Sequence, residues 1–236
     1  NKDLNGGYGT WDKIGNNIIS KFISKAKKNN IKLPVLCLGY IRAILEEKGI
    51  DCIYSESLID SKKLIKTNKI EGVVIYGSIV CCDYENKLIN EINSIDKNIK
   101  KIVVGTYPTK FPNMFSNADY VIIGEPEQFF MDWDGNLENL PTKEKTIISK
   151  TINNLDLLPV PIYTKSFAKQ FSYSPMLSRP TGFIEATRGC PYSCGYYCTY
   201  GENQGKTIRS HSPKKLVEIM KELKTKYGFK SFQFRD

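Results

Sequence analysis

The chain has 236 residues, of which 41% are hydrophobic and 11% aromatic, a composition that predicts a folded globular protein and excludes intrinsic disorder. Its net charge of +9 is spread over many predicted helix faces instead of forming one basic block, so no clear nucleic-acid site is expected. No apolar run is long enough to span a membrane. Seven cysteines without a secretory signal predict a reducing compartment, and hence a cytoplasmic location.

Helical and strand patterns alternate through the first 131 residues. Apolar spacing predicts amphipathic helices from Asp12 to about Asn29 and from Leu36 to Leu45, and the second stops at Gly49. A short strand is expected at Asp51–Ser55, and a helix with Asp83 as its N-cap is expected further on. Three β-branched runs predict buried strands: 72–77, 101–105 and 120–124. Together these elements predict an open α/β, Rossmann-like domain over residues 1–131, whose first strand would precede Asn1.

Each of the three predicted strands ends in a glycine, namely Gly77, Gly105 and Gly124. No G-x-G-x-x-G follows any of them, so a dinucleotide fingerprint is absent. Ligands of open α/β sheets bind at the carboxyl ends of the strands, where glycine permits close approach of the backbone. Ordinary tight turns between strand and helix explain the same glycines equally well.

The character of the chain changes after residue 131. Residues 132–180 are rich in proline and lack periodicity, which is typical of a linker, with short local structure around Ile147–Ser149. A strand–helix–strand pattern occupies residues 181–236: a strand at 182–187, a helix capped by Ser212 and ended by Gly228, and a closing strand that contains Phe232 and Phe234.

Three cysteines within nine residues follow the first strand of this unit: Cys190, Cys194 and Cys198. Close thiolates on a loop with Gly and Pro indicate a metal or iron–sulfur site, because a disulfide framework needs an even set and an oxidising compartment. A structural zinc site would need a fourth ligand, for which His211 is the nearest histidine. The four cysteines elsewhere are expected to pack as small hydrophobes: Cys37, Cys52, Cys81 and Cys82.

The sequence resembles radical S-adenosylmethionine (SAM) enzymes that carry an N-terminal cobalamin-binding domain, and the resemblance covers nearly the whole chain. The segments that carry it are Arg188–Cys194 (Arg-Gly-Cys-Pro-Tyr-Ser-Cys), Gly124–Glu127 (Gly-Glu-Pro-Glu), the Leu155–Pro161 hinge and Phe234–Asp236. The resemblance implies a Rossmann-like parallel sheet followed by the first βαβ unit of a partial TIM barrel. Since a barrel needs more βα units than residues 181–236 provide, we expect the chain to be a fragment of a longer enzyme.

By this resemblance, Cys190, Cys194 and Cys198 would bind a 4Fe–4S cluster whose open iron chelates SAM, and Tyr197 would lie near the adenine. The family's loop is C-x3-C-x2-C, and this loop has one extra residue, visible as the pair Tyr196-Tyr197. Cobalamin contacts would come from the strand ends: Gly77, Ser78, Gly105, Thr106, Gly124 and Glu125. Residues 1–131 contain no histidine, so cobalamin would bind without a protein imidazole. A flavodoxin- or ferredoxin-like protein would supply electrons.

The resemblance implies an enzyme that cleaves SAM and starts radical chemistry, either methyl transfer or a cyclisation or rearrangement, on a substrate that the sequence does not identify. After the cysteine loop, Lys206 or Arg209 could position a carboxylate or phosphate, or could simply be solvated. Two other functions fit the same residues. One is a cobalamin- or ligand-binding module with an inactive radical half, and the other is a zinc-stabilised interaction domain.

Overall fold

The computed structural model describes residues 18, 35–55, 58–79, 81–141, 144–164, 180–192 and 200–235. The helices there are α1 (Leu36–Glu47), α2 (Leu58–Thr67), α3 (Cys82–Ile95), α4 (Thr106–Lys110), α5 (Pro126–Asp132), α6 (Tyr200–Gln204) and α7 (Pro213–Tyr227). The strands are β1 (Gly72–Tyr76), β2 (Lys100–Val104), β3 (Tyr120–Ile123), β4 (Thr146–Ile148), β5 (Thr181–Ile184), β6 (Thr187–Arg188), β7 (Arg209–Ser210) and β8 (Ser231–Phe234). Short 3-10 turns lie at Pro112–Phe115, Leu137–Asn139 and Leu155–Leu157.

Strands β1 to β4 form one parallel sheet in the order β1-β2-β3-β4. This sheet confirms the predicted α/β, Rossmann-like class. Its fourth strand pairs Val121 with Thr146 and Ile123 with Ile148, and it comes from the segment that the sequence assigns to the linker. Strand β4 has only three residues and lies at the edge of the sheet, so its sequence pattern is too short to be recognised as a strand.

Helices cover both faces of this sheet, as the β-branched runs require. Alternate residues of β2 enter opposite cores: Ile102 and Val104 pack with α1 and α5, whereas Val103 packs with α3. Each face of the sheet therefore has its own apolar core. Because the four strands are parallel, their carboxyl ends lie at the same edge of the sheet.

The second unit is a parallel βαβ. Strands β5 and β8 pair in parallel, from Thr181 with Ser231 to Ile184 with Phe234, and α7 connects them. Phe183, Leu223 and Phe229 are members of its apolar core. A short antiparallel pair, β6 with β7, branches from the end of β5 and aligns Arg188 with Arg209.

Two local predictions are wrong. Asp51–Ser55 forms no strand, because it pairs with no strand of the described sheet. Helix α3 begins at Cys82, so Asp83 lies in its first turn and not at the N-cap. The Asp83 carboxylate still complements the positive end of the helix dipole from that position. The predicted helix from Asp12 to Asn29 lies outside the described residues except for the exposed, helical Ile18.

Among the described residues, no helix is both long enough and apolar enough to cross a membrane.

Candidate functional site

The entry to the cysteine loop lies directly beyond β6. Gly189 has a φ of +100°, and a Cβ on it would overlap the carbonyl oxygen of Thr207. Cys190 follows, and its N–H donates to the carbonyl of Gly205 at 3.0 Å. The backbone is thus turned sharply away from the strand by a residue that must be glycine.

The exit of the loop is tied to the entry. Helix α6 ends at Gln204, whose side-chain oxygen accepts the N–H of Gly189 at 3.3 Å. Two hydrogen bonds therefore close the base of the segment that carries the three cysteines: Gly189 donates to the Gln204 side chain, and Cys190 donates to the Gly205 carbonyl.

Of the three predicted cluster ligands, the structure describes Cys190; Cys194, Cys198 and the adenine-contact candidate Tyr197 lie outside the described residues. Cys190 is partly exposed, whereas Cys81 and Cys82 are buried. A partly exposed cysteine on a loop is suited to bind iron through its thiolate. Within the described ranges, no group of three or more Cys, His, Asp or Glu side chains could hold a metal ion, so a cluster site would need the rest of the loop.

Five buried charged side chains lie beside the base of the loop. We call this group the junction cluster, because it joins the first sheet to the βαβ unit; its members are Glu125, Glu127, Glu185, Arg188 and Arg209. Their side chains are between 1% and 8% exposed. Burial of this depth requires each charge to be paired, since an isolated buried charge is strongly unfavourable.

The pairing crosses from one unit to the other. Arg209 donates to both carboxylate oxygens of Glu125, at 3.0 and 2.5 Å, in a bidentate fork. Arg188 donates from Nη2 to Glu127 at 2.9 Å and to Glu185 at 2.5 Å. Glu125 also accepts the N–H of Ile152 at 2.7 Å.

The pKa values follow from these contacts. Burial acts to lower the pKa of Arg188, but the carboxylates of Glu127 and Glu185 outweigh it and raise that pKa well above its usual value. Burial raises the pKa of Glu185, and the Arg188 guanidinium offsets part of that rise. Arg188 is therefore a permanent buried cation two residues before Cys190.

The three strand-end glycines pack against the chain itself. A Cβ on Gly77 would overlap Pro108 and approach Phe115 to 2.8 Å. Gly105 and Gly124 have φ values of +123° and +93°, and a Cβ on either would meet a backbone carbonyl at 2.9 or 2.8 Å. These close approaches to neighbouring segments give each of the three glycines a structural reason of its own.

The candidate cobalamin contacts divide into two kinds. Ser78 and Thr106 are partly buried hydroxyl residues at the ends of β1 and β2, and hydroxyls can hydrogen-bond the amide side chains of a corrin. Ser78 is at present bonded to Glu85, through its N–H at 2.8 Å and its hydroxyl at 3.0 Å. Glu125 does not fit a corrin contact, because it is buried and its oxygens are occupied by Arg209 and Ile152.

This edge of the sheet faces the cysteine segment. The hydroxyl of Thr109 in α4 accepts the N–H of Gly124 at 3.2 Å, and it lies 3.1 Å from the side-chain oxygen of Asn203 in α6. The strand ends and the residues just after the cysteine loop are therefore in direct contact.

His211, the candidate fourth zinc ligand, is buried at the end of β7. Its Nδ1 lies 3.3 Å from Asp156, and its Nε2 has no hydrogen-bond partner among the described residues. Burial lowers its pKa, Asp156 raises it, and the nearby cations Arg188 and Lys215 lower it further. The sequence predicts a plain polar residue here and does not reveal its burial.

Sequence reasoning also missed Glu185 and the pairing of Glu127 with Arg188. Glu185 directly follows an apolar strand, and Arg188 begins the Arg-Gly-Cys-Pro stretch. Two opposite charges this close to the end of a buried strand were the sequence signal for their pairing. Pairing with Glu127 could not be read, because 61 positions separate the two residues.

No protein-family model matches the chain. It is 25% identical over 229 aligned residues to an uncharacterized methyltransferase of Pyrococcus horikoshii, a match that covers 86% of this chain and 48% of that protein. The chain thus spans about half the length of this curated relative. Among solved structures, the N-terminal domain of a hypothetical protein of Thermotoga maritima matches with a TM-score of 0.35 and 14% identity, over 50% of this chain and 94% of that one. Along most of its length, the chain is therefore similar to a protein that is named as a methyltransferase.

Proposed function

We propose that this chain is part of a cobalamin-dependent radical SAM methyltransferase, with a 4Fe–4S cluster on Cys190, Cys194 and Cys198. The observation that carries the proposal is the three-cysteine segment that follows a strand of a parallel βαβ unit, with its base closed around Gly189 and Cys190. The similarity to a protein named as a methyltransferase supports methyl transfer over the other radical reactions.

The residues of the chain have distinct tasks in this proposal. Gly189 turns the backbone, so that the partly exposed thiol of Cys190 is presented away from the core. When bound, the cluster would supply the electron that cleaves SAM. The hydroxyls of Ser78 and Thr106 would bind cobalamin at the edge of the sheet that contacts α6, and a flavodoxin- or ferredoxin-like donor would provide electrons.

Anaerobic reconstitution with iron and sulfide tests the proposal. We expect the wild-type chain to turn brown and to bind about four iron atoms per chain, and Cys194→Ala to lose the chromophore. Cys52→Ala is the matched control, because Cys52 is a partly buried thiol in the first unit, and it should keep the cluster. Absorption spectra, iron and sulfide content, and electron paramagnetic resonance after reduction provide the readout.

The other two functions predict different results. Zinc that stays bound without colour, and is lost in Cys194→Ala, would replace the proposal with a zinc-stabilised interaction domain. Cobalamin bound by a wild-type chain that forms no cluster would instead establish a binding module with an inactive radical half.

A further inference from the structure

Two buried guanidinium groups lie opposite each other at the base of the cysteine segment. Arg188 of β6 pairs directly with Arg209 of β7, and their side chains are 4% and 8% exposed. Like charges in opposite positions of an antiparallel pair destabilise it, and burial strengthens the repulsion because water no longer screens it. The β6–β7 pair therefore needs carboxylates from elsewhere.

Two of those carboxylates come from the first unit. Glu125 and Glu127 lie at the start of α5, just after β3, and they bind Arg209 and Arg188 respectively. Glu185, at the end of β5, is the carboxylate that the βαβ unit itself contributes, and it binds Arg188. With Glu185 alone, two buried guanidinium groups would face one carboxylate.

The two arginines hold opposite ends of the cysteine segment. Arg188 precedes Gly189 and Cys190 at the entry. Arg209 also donates to the carbonyl oxygens of Gln204 and Ile152, and Gln204 is the last residue of α6 at the exit. Glu125 thus acts on the exit through Arg209, and Glu127 acts on the entry through Arg188.

From this geometry we propose that Glu125 and Glu127 are positioning residues for the cysteine loop, so that the first unit sets the placement of Cys190 through two buried ion pairs. The relevance of this positioning role to a cluster rests on the proposed function, whereas the ion pairs that fix the base of the loop do not depend on it. Each glutamate of the first unit hydrogen-bonds an arginine at a different end of the segment, and Glu125 also lies 4.0 Å from Nη1 of Arg188.

Hydrogen exchange of the apo-protein, read at single amides by NMR, tests the proposal without any cofactor. Loss of a charged hydrogen bond changes a local equilibrium by roughly tenfold or more, so Glu125→Gln and Glu127→Gln should lower the protection of the Gly189 and Cys190 amides by at least about that factor. The Ile102 and Val104 amides in β2 should keep their protection. Glu71→Gln is the matched control, since Glu71 is also in the first unit but pairs on the surface with Lys69. Unchanged protection of Gly189 and Cys190 in both variants would overturn the proposal.

Two further measurements separate positioning from general loss of structure. If a Gln variant also loses protection in β2, the corresponding Asp variant, which keeps the charge, is used: recovery of the Cys190 amide along with β2 supports the proposal, and recovery of β2 alone overturns it. In the reconstituted protein, Glu127→Gln should broaden or shift the electron paramagnetic resonance signal of the reduced cluster, compared with the signal of the Glu71→Gln variant. A wild-type chain that forms no cluster would remove the proposed function, while the amide measurement would still decide the positioning role.

Discussion

His211 is the single histidine of the chain, and its side chain lies among charges of both signs. It is 3% exposed, and Asp156, its partner at 3.3 Å, also accepts the Ser212 N–H at 2.8 Å. Burial lowers the pKa of His211 below its usual value, and the Asp156 contact offsets part of this effect. The folded protein consequently favours the neutral imidazole.

The sign of the pH dependence follows from that shift. As the pH falls below about 6.5, the usual histidine pKa, the unfolded chain binds a proton before the folded chain does, so the free energy of unfolding decreases until the folded pKa is passed. Asp156 stays ionised over this range, because hydrogen bonds from Ser212 lower its pKa. Urea unfolding at pH of about 7.5 and about 5.5 should show a larger loss of stability for wild type than for His211→Gln. Equal losses of stability in the two proteins would contradict the assignment of this pH dependence to His211.

At the scale of elements, α7 shows how local signals and packing combine. The hydroxyl of Ser212 accepts the N–H of Lys215 at 3.2 Å at the start of the helix, and Gly228 ends it with a φ of +70°. Ile219 and Leu223 then face the core of the βαβ unit. Since α7 connects β5 to β8, its burial holds β5, the strand that leads into β6 and the cysteine loop.

Leu223→Ala should lower the free energy of unfolding by about 2–5 kcal/mol, because the side chain is fully buried and its removal leaves a cavity. Val217→Ala on the same helix is the control: Val217 is 48% exposed, so its truncation should cost less than about 1 kcal/mol. Thermal or urea unfolding followed by circular dichroism measures both. Similar losses for the two variants would show that α7 does not pack as described.

At the scale of the whole molecule, the junction cluster adds buried charge pairs to the apolar contacts between the sheet and the βαβ unit. Leu36 of α1 packs against the main core of the βαβ unit, while Glu125 and Arg209 pair across 84 positions of sequence. Such a connection is directional, so it sets the relative placement of the loop and the strand ends more narrowly than apolar contact would.

A double-mutant cycle on Glu125 and Arg209 measures this connection. Glu125→Gln and Arg209→Met should each lower the free energy of unfolding by about 3–5 kcal/mol, because each leaves a buried charge without its partner. The double variant should lose less than the sum by more than about 1 kcal/mol. The surface pair Arg42–Glu46, at 2.6 Å, is the control and should show coupling below about 1 kcal/mol. Additive losses at Glu125 and Arg209 would contradict a direct pairing.

Local sequence patterns were sufficient to predict the features that depend on neighbours along the chain. Periodicity located β1, β2, β3 and α7, and the alternation of helix and strand indicated the α/β class, because these patterns express local burial. Spacing also singled out the three cysteines as candidate ligands, since candidate ligands on one loop are close in sequence. The placement of Asp83 and the absence of a strand at Asp51–Ser55 were missed, because a helix start and a strand both depend on partners that a local pattern does not contain.

Which charged side chains pair with each other depends on the tertiary fold. Glu125 is suggested as a ligand contact by its place after a strand, but it is buried against Arg209, and Glu127 meets Arg188. The burial of His211 and its contact with Asp156 likewise depend on the fold. The physical reason is common to all three: a buried polar or charged group is stabilised by whichever partner the fold brings to it, and that partner belongs to a segment that is distant in sequence.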